Sequence, residues 1–304
     1  MRSPWARPSR AAATCNGLQA SWSGAEEAAI PDVAVVTDSA ACLPEDLSRE
    51  LGIVVVPIHV RIGDKAVPDG EGAEGFHKRL RETEDPVATS TPSPGDFLGA
   101  FERTRASGVV CVTVASSVSG VHRAATIAAA DGRADIEVVD SGGASMAQGF
   151  VAMEAARAVR AGGDLAETAA RARDVAGRVT LMAAIETLEY LRRSGRVNRL
   201  LSYAGTMLNV KPVFRMRGGE IESAGRPRTR RRALDRLADE ARSDIGVRPA
   251  HLAAIHADAE EDARNLLDSV EGQVEVVESY VAAFTPAMGA HMGPGAVGLA
   301  WFCD

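Results

Sequence analysis

The sequence predicts an α/β protein: an N-terminal three-layer α/β/α domain with a mostly parallel sheet, then a C-terminal two-layer α+β domain with a mixed sheet. Three observations lead there. Apolar runs at residues 33–36, 53–58, 109–114 and 136–139 alternate with helix-forming stretches, as buried strands of a parallel sheet do in βαβ units. Further on, Gly218-Gly219 separates two strand-like runs, a hairpin signal. The length of 304 residues suits two domains.

In chain order, residues 33–36 form a first strand ending in Thr37-Asp38-Ser39. The carboxyl end of such a strand is where ligands of open α/β sheets bind, although Asp38 could equally be a turn or cap residue. Pro44 opens a helix that Gly52 ends, and residues 53–58 read as the second strand. Residues 63–75, rich in Gly, Asp and Glu, read as a loop, and 74–82 as a polar helix. Thr89-Ser90-Thr91-Pro92-Ser93-Pro94-Gly95-Asp96 reads as a rigid hydroxyl-bearing loop, with Asp96 capping a helix from Phe97. Hydroxyls beside free N–H groups suit a carboxylate or a phosphate; an ordinary turn and cap would look the same. A third strand at 109–114 runs into Ser116-Ser117-Val118-Ser119-Gly120 and a helix of small residues, again an anion-favouring arrangement. A fourth strand at 136–139 leads through Asp140-Ser141 to helices at 145–160 and 165–176.

The second domain, residues 179–304, begins with a strand at 179–185, a short helix from Thr187 and a helix at 200–207. After the hairpin come a helix at 229–243, a strand at 251–256, a helix at 260–270 and a strand at 274–280. A glycine-rich loop holding His291 feeds a last strand.

Composition narrows the function. Hydrophobic residues make up 46% of the chain and aromatic ones 4%, so the cores are aliphatic. A net charge of -7 argues against general nucleic-acid binding. Cys15, Cys42, Cys111 and Cys303 are far apart, without metal-ligand spacing or a dense disulfide pattern, which points to a cytoplasmic protein. No apolar run is long enough for a membrane span. Residues 1–31, with no apolar core segment, read as a disordered tail or as the product of an upstream start codon. No metal site and no cofactor are expected: His256-Ala257-Asp258 lacks further ligands, and Walker, GxGxxG and GxSxG motifs are missing. From Arg192 to Arg236, thirteen basic residues face only Glu220, Glu222 and Asp235, a patch able to dock an acidic partner, a phosphate or nucleic acid, or simply to be solvated.

Taken together the motifs resemble the DegV family of fatty-acid-binding proteins, over residues 33–302. They are Val36-Thr37-Asp38-Ser39, the Thr89-Ser90 stretch, Ser116-Ser117-Val118-Ser119-Gly120, Asp140-Ser141, Thr187 to Arg196, Lys211-Pro212, Arg228-Thr229 and His291 to Gly298. The resemblance implies a DegV-like fold with one long-chain fatty acid lying between the domains 32–178 and 179–304. It assigns the carboxylate to Thr89, Ser90, Ser116, Ser117, Ser119, Gly120, His291 and Arg196. It further implies a non-catalytic protein that presents its lipid to a fatty-acid kinase for phospholipid synthesis, with Arg228 at the kinase-docking position and at most transient contact with a membrane surface. Val121, Thr91 and Met292 depart from residues usual in the family. Two other readings compete. One is a serine-dependent hydrolase or transferase using Ser119 or Ser117 with His291; the other is a nucleic-acid-binding or regulatory protein working through Arg226–Arg232.

Overall fold

The computed structural model describes residues 32–63, 65–70, 75–83, 85, 87–132, 134–196 and 210–304. The tail expected over 1–31 and the helix expected over 200–207 lie outside the described residues.

Strand β1 (Val33–Asp38), helix α1 (Glu45–Leu51) and strand β2 (Val54–Val56) open the chain. The second apolar run does not continue as one strand. Pro57 has no N–H for a ladder, so β2 stops before it, and His59 starts β3 (His59–Ile62) in a different sheet. There β3 pairs antiparallel with β4 (Lys65–Pro68) and, past α2 (Phe76–Glu82), with β5 (Val87–Ser90). This three-stranded sheet corrects two expectations. Residues 65–68 are strand where a loop was expected, and Thr89 and Ser90 lie on a strand, with Thr89 opposite Val60. Distant partners supply ladder hydrogen bonds that local composition does not reveal.

Helix α3 (Pro94–Thr104) is capped by Ser93 instead of Asp96. The Ser93 hydroxyl accepts the Asp96 N–H at 3.2 Å, and the Asp96 carboxylate accepts the Ser93 N–H at 2.7 Å. That reciprocal pair is a capping box, with Pro94 in the first turn. Strand β6 (Gly108–Thr113), helix α4 (Val121–Asp131), strand β7 (Asp135–Asp140) and helices α5 (Met146–Arg160) and α6 (Leu165–Ala176) complete this half. Its main sheet has the order β2-β1-β6-β7 and is parallel throughout. The pair α3 and α4 packs on it, as does the pair α5 and α6. Helix α5 is buried on every side from Met146 to Ala156, as an apolar-all-round helix must be. It touches β1 and β6 of the parallel sheet, and β8 (Thr180–Ala184) and β13 (Val297–Cys303) of the second sheet.

The residues after 178 add α7 (Glu189–Arg193), β9 (Val213–Arg217), β10 (Glu220–Gly225), α8 (Arg230–Ile245), β11 (Ala250–His256), α9 (Glu260–Glu271), β12 (Val276–Ala283) and α10 (Pro286–Met292). The second sheet runs β10-β9-β8-β13-β11-β12, parallel only between β11 and β12. It is therefore mixed, and the α/β class with one parallel and one mixed sheet holds. Alternation along the strands sorts its two faces. Met182, Leu299 and Trp301 pack with α8 and α9, whereas Leu181, Ala300 and Phe302 join the core shared with the parallel sheet. The glycine-rich loop expected around His291 is in fact the two-turn helix α10, with Pro286 in its first turn. Gly289 is accommodated there because the His77 ring occupies its side-chain space: a Cβ would lie 2.3 Å from His77 Nε2.

Candidate ligand-binding site

Beyond the carboxyl end of β1 and β6 lies a cavity enclosing about 1080 Å³ of non-atom space, open mouth included. Its walls come from both halves: Ile58, Val114 and Val118 from connections of the first, Leu181, Phe214 and Met216 from strands of the second. Met288 and Met292 of α10 and Leu191 of α7 add to them. Against these, the polar lining among the described residues is Thr89, Thr91, Ser119, Arg196 and His291.

The sheet geometry brings two of these groups together from 202 residues apart. Thr89 Oγ1 lies 2.9 Å from His291 Nε2. His291 Nδ1 is buried and has no hydrogen-bond partner among the described residues. Burial, and then the nearby Arg196 guanidinium, push the His291 imidazole down to a pKa of about 4. At neutral pH the ring is therefore uncharged. Arg196 itself donates to Ser194 O at 2.7 Å.

Other residues expected at the site lie elsewhere. Ser90, next to Thr89 on β5, faces the opposite side and is exposed. Ser116 and Ser117 are exposed and line a separate surface depression with Asp140 and Gly218. The Ser117 hydroxyl donates to Gly219 O at 2.6 Å, and the Ser116 N–H to Asp140 at 3.1 Å. Gly120 faces Thr91: a Cβ there would lie 3.6 Å from Thr91 Oγ1. Of the three serines, Ser119 lines the cavity. No hydrogen bond joins Ser119 to His291; its hydroxyl instead accepts the Val121 N–H at 3.4 Å. A nucleophile–base pair built on Ser119 or Ser117 with His291 thus has no support in this geometry. Thr91 also lines the cavity, two positions from Thr89. Strand alternation would have placed both on one face, but a loop assignment hides that signal.

Asp38 is fully buried and acts as a staple. It accepts from the Val114 N–H at 2.9 Å, the Ala40 N–H at 3.0 Å and Gln148 Nε2 at 3.0 Å. Burial lifts its pKa to about 6. Among the described residues, no three His, Cys, Asp or Glu side chains gather as a metal set; Asp258 instead pairs with Arg81 at 2.7 Å.

The basic segment is largely neutralised. Arg230 is clamped by Glu186 and by Asp262, the latter at 2.6 Å, and it donates to Gly295 O. Arg236 pairs with Glu240 at 3.0 Å, and Lys211 with Glu186 at 2.5 Å. Arg228 is exposed and pairs with no carboxylate among the described residues.

Fold and cavity define an α/β protein with a largely aliphatic interior pocket in which Thr89 and His291 meet. The chain belongs to the DegV family: the family model described as "Uncharacterised protein, DegV family" matches residues 32–304. A DegV domain-containing protein of Streptomyces coelicolor is 35% identical over 277 residues, covering 88% of this chain and 97% of that one. A fatty-acid-binding DegV family protein from Thermus thermophilus superposes with a TM-score of 0.83 at 27% identity, over 90% of this chain and all of that one. DegV of Bacillus subtilis, a fatty acid binding protein, does so with a TM-score of 0.79 at 26% identity, over 90% of this chain and 100% of its own. No helix among the described residues is long and apolar enough to cross a membrane.

Proposed function

We propose that this protein binds one long-chain fatty acid between the halves 32–178 and 179–304, and presents its carboxylate to a partner kinase that forms an acyl phosphate. The observation that carries the reading is a largely aliphatic cavity in which Thr89 and His291 meet at 2.9 Å. Each buried methylene contributes about 0.8 kcal/mol, so an alkyl chain supplies the affinity. A carboxylate cannot be buried without donors. When His291 Nε2–H donates to Thr89 Oγ1, the Thr89 hydroxyl proton is free for the carboxylate. Ser119 adds a second hydroxyl and Arg196 the positive charge. The protein itself performs no bond-making step in this reading; the chemistry belongs to the kinase, and the setting is the cytoplasm.

Mass spectrometry of an organic extract of the purified protein tests the ligand. A stoichiometric fatty acid of the palmitate or oleate class is the expected result. An empty extract together with no uptake of added palmitate would sink the reading. For the partner, the unpaired Arg228 supports docking of an acidic kinase surface. Arg228→Ala should leave palmitate affinity unchanged and lower kinase-dependent acyl-phosphate formation about tenfold or more, as loss of one interfacial charge pair does. Loss of palmitate binding in that variant would mean the docking surface has been misplaced.

A further inference from the structure

We propose that Asp69 is a positioning residue for His291, holding helix α10 so that the imidazole meets Thr89; its consequence for ligand binding rests on the fatty-acid reading above. Helix α10 begins at Pro286 after Thr285, a residue type that ordinarily caps a first turn with its own hydroxyl. Thr285 makes no such bond here. Its hydroxyl turns to Ser39 O at 3.4 Å. The Ala287 N–H is taken instead by Asp69 Oδ1 at 2.8 Å, from 218 residues away.

The carboxylate that does this is itself fixed. Asp69 Oδ2 accepts the Ser39 hydroxyl at 2.7 Å, and Ser39 Oγ accepts the Ile58 N–H at 3.0 Å. The Asp69 N–H donates to Ile58 O at 2.6 Å. Asp69 thus ties the end of β1, the link between β2 and β3, and the end of β4 to the start of α10. Thr89 holds the other end of that helix, because His291 sits in its last turn. Both grips come from one three-stranded sheet: Asp69 directly follows β4, Thr89 lies on β5, and both strands pair with β3. A two-turn helix held at both ends by one sheet cannot rotate or slide against it. Asp69 therefore sets where His291 points without itself lining the cavity, although two of the backbones it holds, Ile58 and Ala287, do.

The test pairs side-chain ¹⁵N NMR of His291 in the ligand-free protein with titrations of palmitate and of hexadecanol, which carries the same chain without a carboxylate. In Asp69→Ala the His291 ring nitrogens should shift as the bond to Thr89 is lost. Palmitate affinity should fall about tenfold, the cost of one lost polar contact, and hexadecanol affinity should not change. Asp69→Asn, whose carbonyl still accepts from Ala287 and whose amide still reaches Ser39, should restore both readouts. Unchanged His291 resonances in Asp69→Ala overturn the proposal whether or not palmitate binds. An equal loss for palmitate and hexadecanol also overturns it, since a merely structural role would weaken both. If the wild type takes up no palmitate, the fatty-acid reading fails by itself, and the NMR comparison still decides the positioning role. Should Asp69→Ala not fold, the same readouts on Ser39→Ala, which removes a donor that fixes the carboxylate, decide in the same way.

Discussion

Gly293→Ala should lower the stability of this protein by about 3 kcal/mol, a fall of roughly 6–12 °C in melting temperature for a domain of this size. Gly293 follows the last residue of α10 with φ 77° and ψ 160°, a region that L-residues with side chains essentially do not occupy. An added Cβ would also lie 2.2 Å from Cδ2 of the Tyr190 ring. The ring edge cannot absorb that by a small shift, so Tyr190 or the end of α10 must move. Because His291 and Met292 immediately precede Gly293 and both line the cavity, the same substitution should also weaken fatty-acid binding. Differential scanning calorimetry decides the first point: a melting temperature equal to the wild type would show that the turn relaxes freely, and the argument for a fixed α10 would fall with it.

Thr89→Ala and His291→Ala should each weaken palmitate binding by about 1–3 kcal/mol, because each leaves a buried acceptor short of a donor. The two residues are hydrogen-bonded to one another at 2.9 Å, so their effects should not add: the double variant should lose clearly less than the sum of the two single losses. Isothermal titration of the three variants and the wild type measures the coupling directly. Additive losses would mean that Thr89 and His291 reach the carboxylate independently, and unchanged affinity in both single variants would remove the carboxylate from this end of the cavity. The neutral state of His291 sharpens the expectation. With its pKa pushed down to about 4 in the ligand-free protein, the ring acts at neutral pH through its hydrogen bond to Thr89 rather than through a charge.

Much of this protein is legible in the order of its residues. The buried strands β1, β6 and β7 are continuous apolar runs, and such runs read the same in any context. Helices α5 and α6 and the hairpin at Gly218-Gly219 follow from periodicity and turn chemistry over short windows, and the family motifs lie at recognisable spacing. Thr89, Ser119, Arg196 and His291, all marked by those motifs, line one cavity.

What the sequence left open depends on groups far apart in the chain. Strands β3, β4 and β5 exist because each supplies the others' ladder hydrogen bonds, and none has a strong pattern of its own; Thr89 therefore reads as loop until Val60 is placed opposite it. Helix α10 reads as a glycine-rich loop because Gly289, costly in an isolated helix, is covered by the His77 ring, and because the cap for Ala287 comes from Asp69. The division of the serines follows the same logic. Ser116 and Ser117 share a motif with Ser119, yet they turn towards Asp140 and Gly219, while Ser119 alone of the three faces the cavity. Local propensity determines which segments become strands and helices; which side chains meet is decided by pairing and packing across the two sheets, where a partner some 200 residues away outweighs any neighbour in sequence.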